Sequence, residues 1–220
     1  MTVWSFMAVA CLAQSGRAQT VSIRQGDIYL TLENGKDVQL TSGGADSDAV
    51  LSPTGKKIIF VRVMHDQPDA SGPGRPGDRG EIVYIELNSP TPEVHVLLDA
   101  PADATGTGFQ WFSSPRYSFD EGLVYFLVPD YSPTSPGLFS LDLKSGKILF
   151  VVQAQKFWVP PAGPYKGDLV VWQNPTLVGG GRYDVFNLIK PSGEVIGVVG
   201  FDEEKVKALL EDDGSGSAPR

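Results

Sequence analysis

Residues able to do chemistry are few in this 220-residue sequence, and they are scattered. There are 2 His and 1 Cys. His65 ends an apolar run and His95 lies in an apparent edge strand, and neither has a nucleophile or a second metal ligand beside it. Asp46 and Asp48 form an Asp-x-Asp pair. Such a pair offers oxygen ligands to Ca²⁺, or the side-chain hydrogen bonds of a turn ahead of a strand. Asp130 and Asp184 are carboxylates of the kind that glycoside hydrolysis needs in pairs, but nothing in their spacing joins them. The sequence contains no Gly-x-Ser-x-Gly elbow, phosphate loop or His-Glu-x-x-His helix. No catalytic residue, cofactor or metal site is therefore expected, and binding is the better expectation.

The elements that would position such residues are short. Gly and Pro number 25 and 17, too many for a bundle of long helices and suited to strands joined by tight turns. With 18 Lys+Arg against 26 Asp+Glu the net charge is −8, so no phosphate-neutralising surface dominates and no nucleic-acid partner is expected. The first residues, MTVWSFMAVACLAQSGRAQT, carry an apolar run over 3–13. It is too short to span a bilayer, which takes about 20 residues, and it resembles a secretory signal cut after Ala18. That implies a periplasmic or secreted chain without an integral membrane span. Cys11, after small residues in the same run, is the alternative as a lipid anchor. The resulting division is a signal peptide over 1–18, repeats over 19–210 and a disordered tail over 211–220.

Internal similarity is the strongest signal. Gly26-Asp27-Ile28-Tyr29-Leu30 leads to Asn34-Gly35-Lys36 and Val38-Gln39-Leu40-Thr41. There follows Leu51-Ser52-Pro53-Thr54-Gly55-Lys56-Lys57-Ile58-Ile59-Phe60-Val61. Ser114-Pro115-Arg116-Tyr117-Ser118-Phe119-Asp120-Glu121-Gly122 precedes Leu123-Val124-Tyr125-Phe126-Leu127, and a weaker copy joins Leu169-Val170-Val171-Trp172 to Tyr183-Asp184-Val185-Phe186. The pattern resembles the repeat of TolB-like, or WD40-like (PD40), β-propellers, also found in the propeller domains of prolyl-oligopeptidase relatives. The resemblance implies an all-β fold, a partial or small β-propeller of three to four four-stranded antiparallel blades, either closed by its own strands or completed by a second copy. It implies no active site, because in the peptidases the catalytic residues lie in a separate hydrolase domain.

The residues give the same architecture by their own pattern. Ile28, Leu30 and Leu32 alternate with polar neighbours, while Ile82–Ile85 and Leu169–Trp172 are continuous apolar runs, and both patterns mean strand. Asn34-Gly35, Ser145-Gly146 and Ser192-Gly193 supply hairpin turns. Blade one is expected at 48–52, 57–63, 81–87 and 94–98, blade two at 110–114, 122–128, 137–143 and 147–152, and blade three at 157–160, 168–172, 183–189 and 194–199. Residues 21–41 add two or three strands, and a short helix is expected from 202 to 210. The connections over 64–80, 99–108, 129–136 and 174–181 are long and would share one face, the place for a binding surface.

Candidate contact residues on that face and at the channel mouth are Arg75, Arg79, Trp111, Asp130, Tyr131 and Trp158. The arginines suit an acidic partner or plain solvation, and the tryptophans suit ligand stacking or packing between blades. The expected function is a non-enzymatic protein-binding module whose partner is another protein of the envelope or a second copy of the chain. The alternatives are a carbohydrate-active or hydrolytic propeller using Asp130 and Asp184, and a small envelope inhibitor or immunity protein.

Overall fold

Strand after strand folds back on its predecessor. The computed structural model describes residues 19–65, 78–89, 92–100, 109, 111–129 and 135–211. A three-stranded sheet holds β1 (Thr20–Arg24), β2 (Asp27–Thr31) and β3 (Asp37–Gln39). Blade one holds β4 (Asp46–Leu51), β5 (Lys57–His65), β6 (Asp78–Glu86) and β7 (Val94–Leu98). Blade two holds β8 (Ser113–Tyr117), β9 (Leu123–Val128), β10 (Gly137–Asp142) and β11 (Ile148–Gln153). Blade three holds β12 (Lys156–Trp158), β13 (Leu169–Gln173), β14 (Val185–Ile189) and β15 (Val195–Gly200), followed by helix α1 (Glu203–Glu211). All pairings are antiparallel between consecutive strands, so this is a small all-β propeller with one short helix.

The continuous apolar runs are explained by sheets buried on both faces. In β5, Ile58 and Phe60 pack with Ile28 and Leu30 of the first sheet, whereas Ile59 between them packs with Phe126 and Phe139 of blade two. In β9, Val124, Phe126 and Val128 face blade one, and Tyr125 and Leu127 face Phe157, Leu169 and Val171 of blade three. Period-2 alternation thus assigns the buried residues of these two strands to one of two inter-blade cores. The far face of blade three, with Val170 and Phe186, is covered by Val206 and Leu210 of α1. The helix is started by Asp202, whose Oδ1 accepts the Lys205 amide at 3.1 Å, and Glu203 and Glu204 sit at its positive end.

Most strands shift by one to three residues from the expected bounds, β5 and β6 running on to His65 and back to Asp78 inside the expected 64–80 connection, and two innermost strands differ in what they contain. The innermost strand of blade two is not 110–114 but Ser113–Tyr117, so Ser114-Pro115 belongs to the strand and not to the turn after it. The turn is Ser118-Phe119-Asp120-Glu121-Gly122, the counterpart of Ser52-Pro53-Thr54-Gly55. Ser52 donates its amide to Lys57 O and Ser118 to Leu123 O, at 2.8 and 2.9 Å. Both serines are buried, and each hydroxyl accepts the amide of the returning strand. Ser114-Pro115 matches Ser52-Pro53 in residue type, but Ser118-Phe119 matches it in structure. The innermost strand of blade three is not 157–160 but Lys156–Trp158, because Pro160 and Pro161 cannot donate to a ladder. The connection that follows, 159–168, is the long one on the turn face, and the 154–155 link between blades is short.

Candidate functional site

The first strands of the blades, β4, β8 and β12, line the axial side of the stack. β4 and β8 share a construction. Each has a bulge, after Ser47 and Ser113, and each bulge holds a non-glycine residue at positive φ, Asp48 at 54° and Ser114 at 53°. Asp48 Oδ2 accepts the Ser114 amide at 2.9 Å and ties the two bulges together. The Asp-x-Asp pair is therefore divided. Asp46, which is buried, takes both arms of the Arg62 guanidinium at 2.7 and 3.0 Å, and that hydrogen-bonded carboxylate raises the Arg62 pKa. Among the described residues no three His, Cys, Asp or Glu side chains gather into a metal-binding group.

Cavities open along and beside this axis. A cavity of about 420 Å³ lies between β4 and the approach to β8, lined by Asp46, Asp48, Val63 and Trp111. A larger one of about 540 Å³ lies between β8, β12, the 159–162 segment and α1, with Arg116, Trp158, Pro161 and Leu210 in its walls. Beside it is a space of about 270 Å³, which shares Arg116, Val159 and Pro161 and adds Val50 and Phe119. On the face of the long connections, a recess of about 260 Å³ is lined by Ser135, Gln153, Gln173, Asn174, Thr176 and Arg182.

The expected contact residues do not form one site. Arg75, Asp130 and Tyr131 lie outside the described residues. Arg79, on β6, donates to Asp99 Oδ1 at 2.8 Å and to Ala100 O at 2.9 Å, fastening β6 to the segment that leaves β7. Trp111 packs on the backbone of Gly80, where an added Cβ would stand 3.4 Å from its ring, and also lines the 420 Å³ cavity. Trp158 ends β12, packs on Phe186 at 5.8 Å between ring centroids, and lines the 540 Å³ cavity. The two tryptophans thus combine packing with a cavity wall, but in different cavities. Asp184 accepts from Trp172 Nε1 at 2.9 Å and from Asn174 Nδ2 at 2.7 Å. His95 stacks on Tyr84 at 5.1 Å within blade one.

One long connection, 174–184, is fully described and shows what this face presents. It is a small hairpin of its own. Leu177 N donates to Gly181 O at 2.9 Å, Gly180 N to Leu177 O at 3.0 Å, and Thr176 bridges Arg182. The hairpin holds Leu177 half exposed and Val178 fully exposed. Neither this apolar tip nor Arg116 stood out in the sequence. Arg116 would have been found by aligning Ser118 with Ser52, which places it opposite Val50.

No protein-family profile and no curated protein matches the sequence. Solved structures do match. TolB from Acinetobacter baumannii is similar over 82% of this chain and 40% of its own, at 18% identity and a TM-score of 0.52. The β-propeller domain of the Trilobed protease from Pyrococcus furiosus is similar over 77% of this chain and 48% of its own, at 12% identity and a TM-score of 0.49. An oligogalacturonate lyase, solved in complex with manganese, follows at 15% identity and 0.44, over 79% of this chain and 58% of its own. The chain spans less than two thirds of the length of each of these. At such identities the likeness concerns the fold alone, and the fold is that of a TolB-like β-propeller.

Proposed function

We propose that the chain is a non-enzymatic protein-binding module, exported to the periplasm or beyond after removal of residues 1–18, and that it engages another protein through the face of its long connections. The observation that carries this reading is the 174–184 hairpin. It fixes an exposed Leu177-Val178 tip next to a recess of amide, hydroxyl and guanidinium groups. An apolar anchor rimmed by hydrogen-bonding groups is the arrangement on which protein interfaces concentrate their binding energy. Among the described residues no helix is long and apolar enough to cross a membrane.

The test is affinity capture from envelope extract with wild-type protein, with a Leu177→Ser/Val178→Ser variant and with a variant whose 66–77 segment is replaced by a short Gly-Ser linker. A protein retained by the wild type at stoichiometric yield and lost from either variant supports the reading. Retention unchanged in both removes the loop face from consideration. The hydrolytic alternative makes the opposite forecast. Turnover on a glycan or peptide panel that is abolished by Asp184→Asn would replace the binding reading with an enzymatic one.

A further inference from the structure

The turn-face cavity has a feature that the fold does not require. Arg116 and Val50 occupy the same place in their blades, each just past the bulge and paired with the second strand, Val50 with Ile59 and Arg116 with Tyr125. Blade one fills the position with an apolar side chain. Blade two spends a charge there, and that guanidinium is only partly exposed, so that burial pulls its pKa below the ordinary arginine value. It nonetheless stays a cation at any physiological pH. Its hydrogen bond within the chain runs from Nη1 to Pro115 O at 2.8 Å, and among the described residues no carboxylate lies within ion-pair distance of it. Asp48, which attracts it from the neighbouring strand β4, is turned to the Ser114 amide. The other donors of this planar five-donor group have no protein acceptor among the described residues, and Arg116 lines both turn-face cavities.

The rest of the cavity defines what those donors can take. Its walls are Phe157, Trp158, Val159, Pro160, Pro161 and Leu210, a surface for an apolar or aromatic body. Two more cations stand at the rim, but both are neutralised. Lys156 pairs with Glu203 at 2.8 Å, and Lys207 pairs with Glu203 and Glu204 at 3.1 and 3.0 Å. Arg116 is the one cation here without a paired carboxylate, its charge partly offset by Asp48, and Glu203 and Glu204 disfavour a dianion such as a phosphate monoester. A carboxylate matches both the single charge and the two-pronged guanidinium geometry. The volume of about 540 Å³ is that of a small-molecule site.

We propose that the cavity between β8, β12 and α1 is a binding site for a small monocarboxylate with an apolar or aromatic body, its carboxylate held by Arg116 and its body lying against Trp158 and Leu210. The site is on the opposite face from the hairpin tip and does not depend on the protein-binding reading.

The experiment is calorimetric titration of the full chain with 4-phenylbutyrate and with its uncharged amide, together with indole ¹H–¹⁵N spectra. The expected result is saturable binding at one site, at least tenfold weaker binding of the amide, and a shift of the Trp158 indole resonance larger than that of Trp111. Arg116→Gln and Arg116→Val are expected to lower the affinity at least tenfold. The second variant restores the residue type that blade one carries at this place, so folding is expected to survive it. The Leu177→Ser/Val178→Ser variant is expected to bind the carboxylate as the wild type does. Failure of the carboxylate to saturate, equal binding of the amide, undiminished affinity in Arg116→Val, or a shift confined to Trp111 would each overturn the proposal.

Discussion

Asp46 and Arg62 show how a charged pair can sit beside a channel without being its chemistry. The carboxylate is 3% exposed and the guanidinium 26%. Removing one partner strands the other in a poorly solvated place. Asp46→Ala is therefore expected to lower stability by about 3 kcal/mol, read as a shift in urea midpoint with unchanged slope. Glu81, paired across the ladder with Arg62, behaves differently. Burial raises its pKa above the ordinary carboxyl value, and Asp99 adds to the rise. A carboxyl whose pKa is raised on folding stabilises the fold below its unfolded pKa and loses that contribution as pH rises through the folded one. Melting temperatures of the wild type and Glu81→Gln should thus diverge between mildly acidic and neutral pH, the variant gaining relative to the wild type as pH rises. A difference that stays constant with pH would contradict this assignment.

At the scale of elements, the joints between blades are the exacting places. Gly193, in the β14–β15 turn, has φ +90° and would bring a Cβ to 2.6 Å from Val151 O of blade two. Gly193→Ala combines backbone strain with a clash between blades and should cost about 2–3 kcal/mol. Helix α1 serves as the cover of the last blade. Val206, 1% exposed, packs in the cluster with Val170 and Phe186, so Val206→Ala should cost about 2 kcal/mol, followed in urea by tryptophan emission. Strands, turns and helix were legible in the sequence because alternation, Asn-Gly or Ser-Gly turns and an acidic helix start are local signals. The innermost strand of blade two was misplaced by several residues because two Ser-Pro or Ser-Phe segments compete within one stretch, and only the hydrogen bonds of Ser118 decide between them. The sites were less legible. Arg116 becomes conspicuous only when superposed on Val50, and the exposure of Val178 only when the hairpin around it is seen to close on itself.

For the whole molecule, the ends of the stack are as informative as its middle. At one end α1 occupies the face on which a further blade would pack. At the other, the outward side of the first sheet is a polar lattice. Arg24 pairs with Asp37 and lies over Tyr29, Thr31 donates to Asp37 at 2.7 Å, and Gln39 donates to Asp27 at 3.1 Å. Among the described residues no apolar cluster joins the first sheet to the last blade. Polar or helix-covered ends are how stacked repeats stay soluble without a neighbour. The loop face and the turn-face cavity are then expected to be presented by a single chain, without a partner copy. Sedimentation equilibrium across a wide range of protein concentration tests this most directly. A mass of one chain that does not change with concentration is expected. A stable mass of two chains, reduced to one by a polar substitution at Leu209, exposed on α1, or by breaking the Arg24 and Asp37 lattice, would contradict it and make the ends of the stack interfaces between copies.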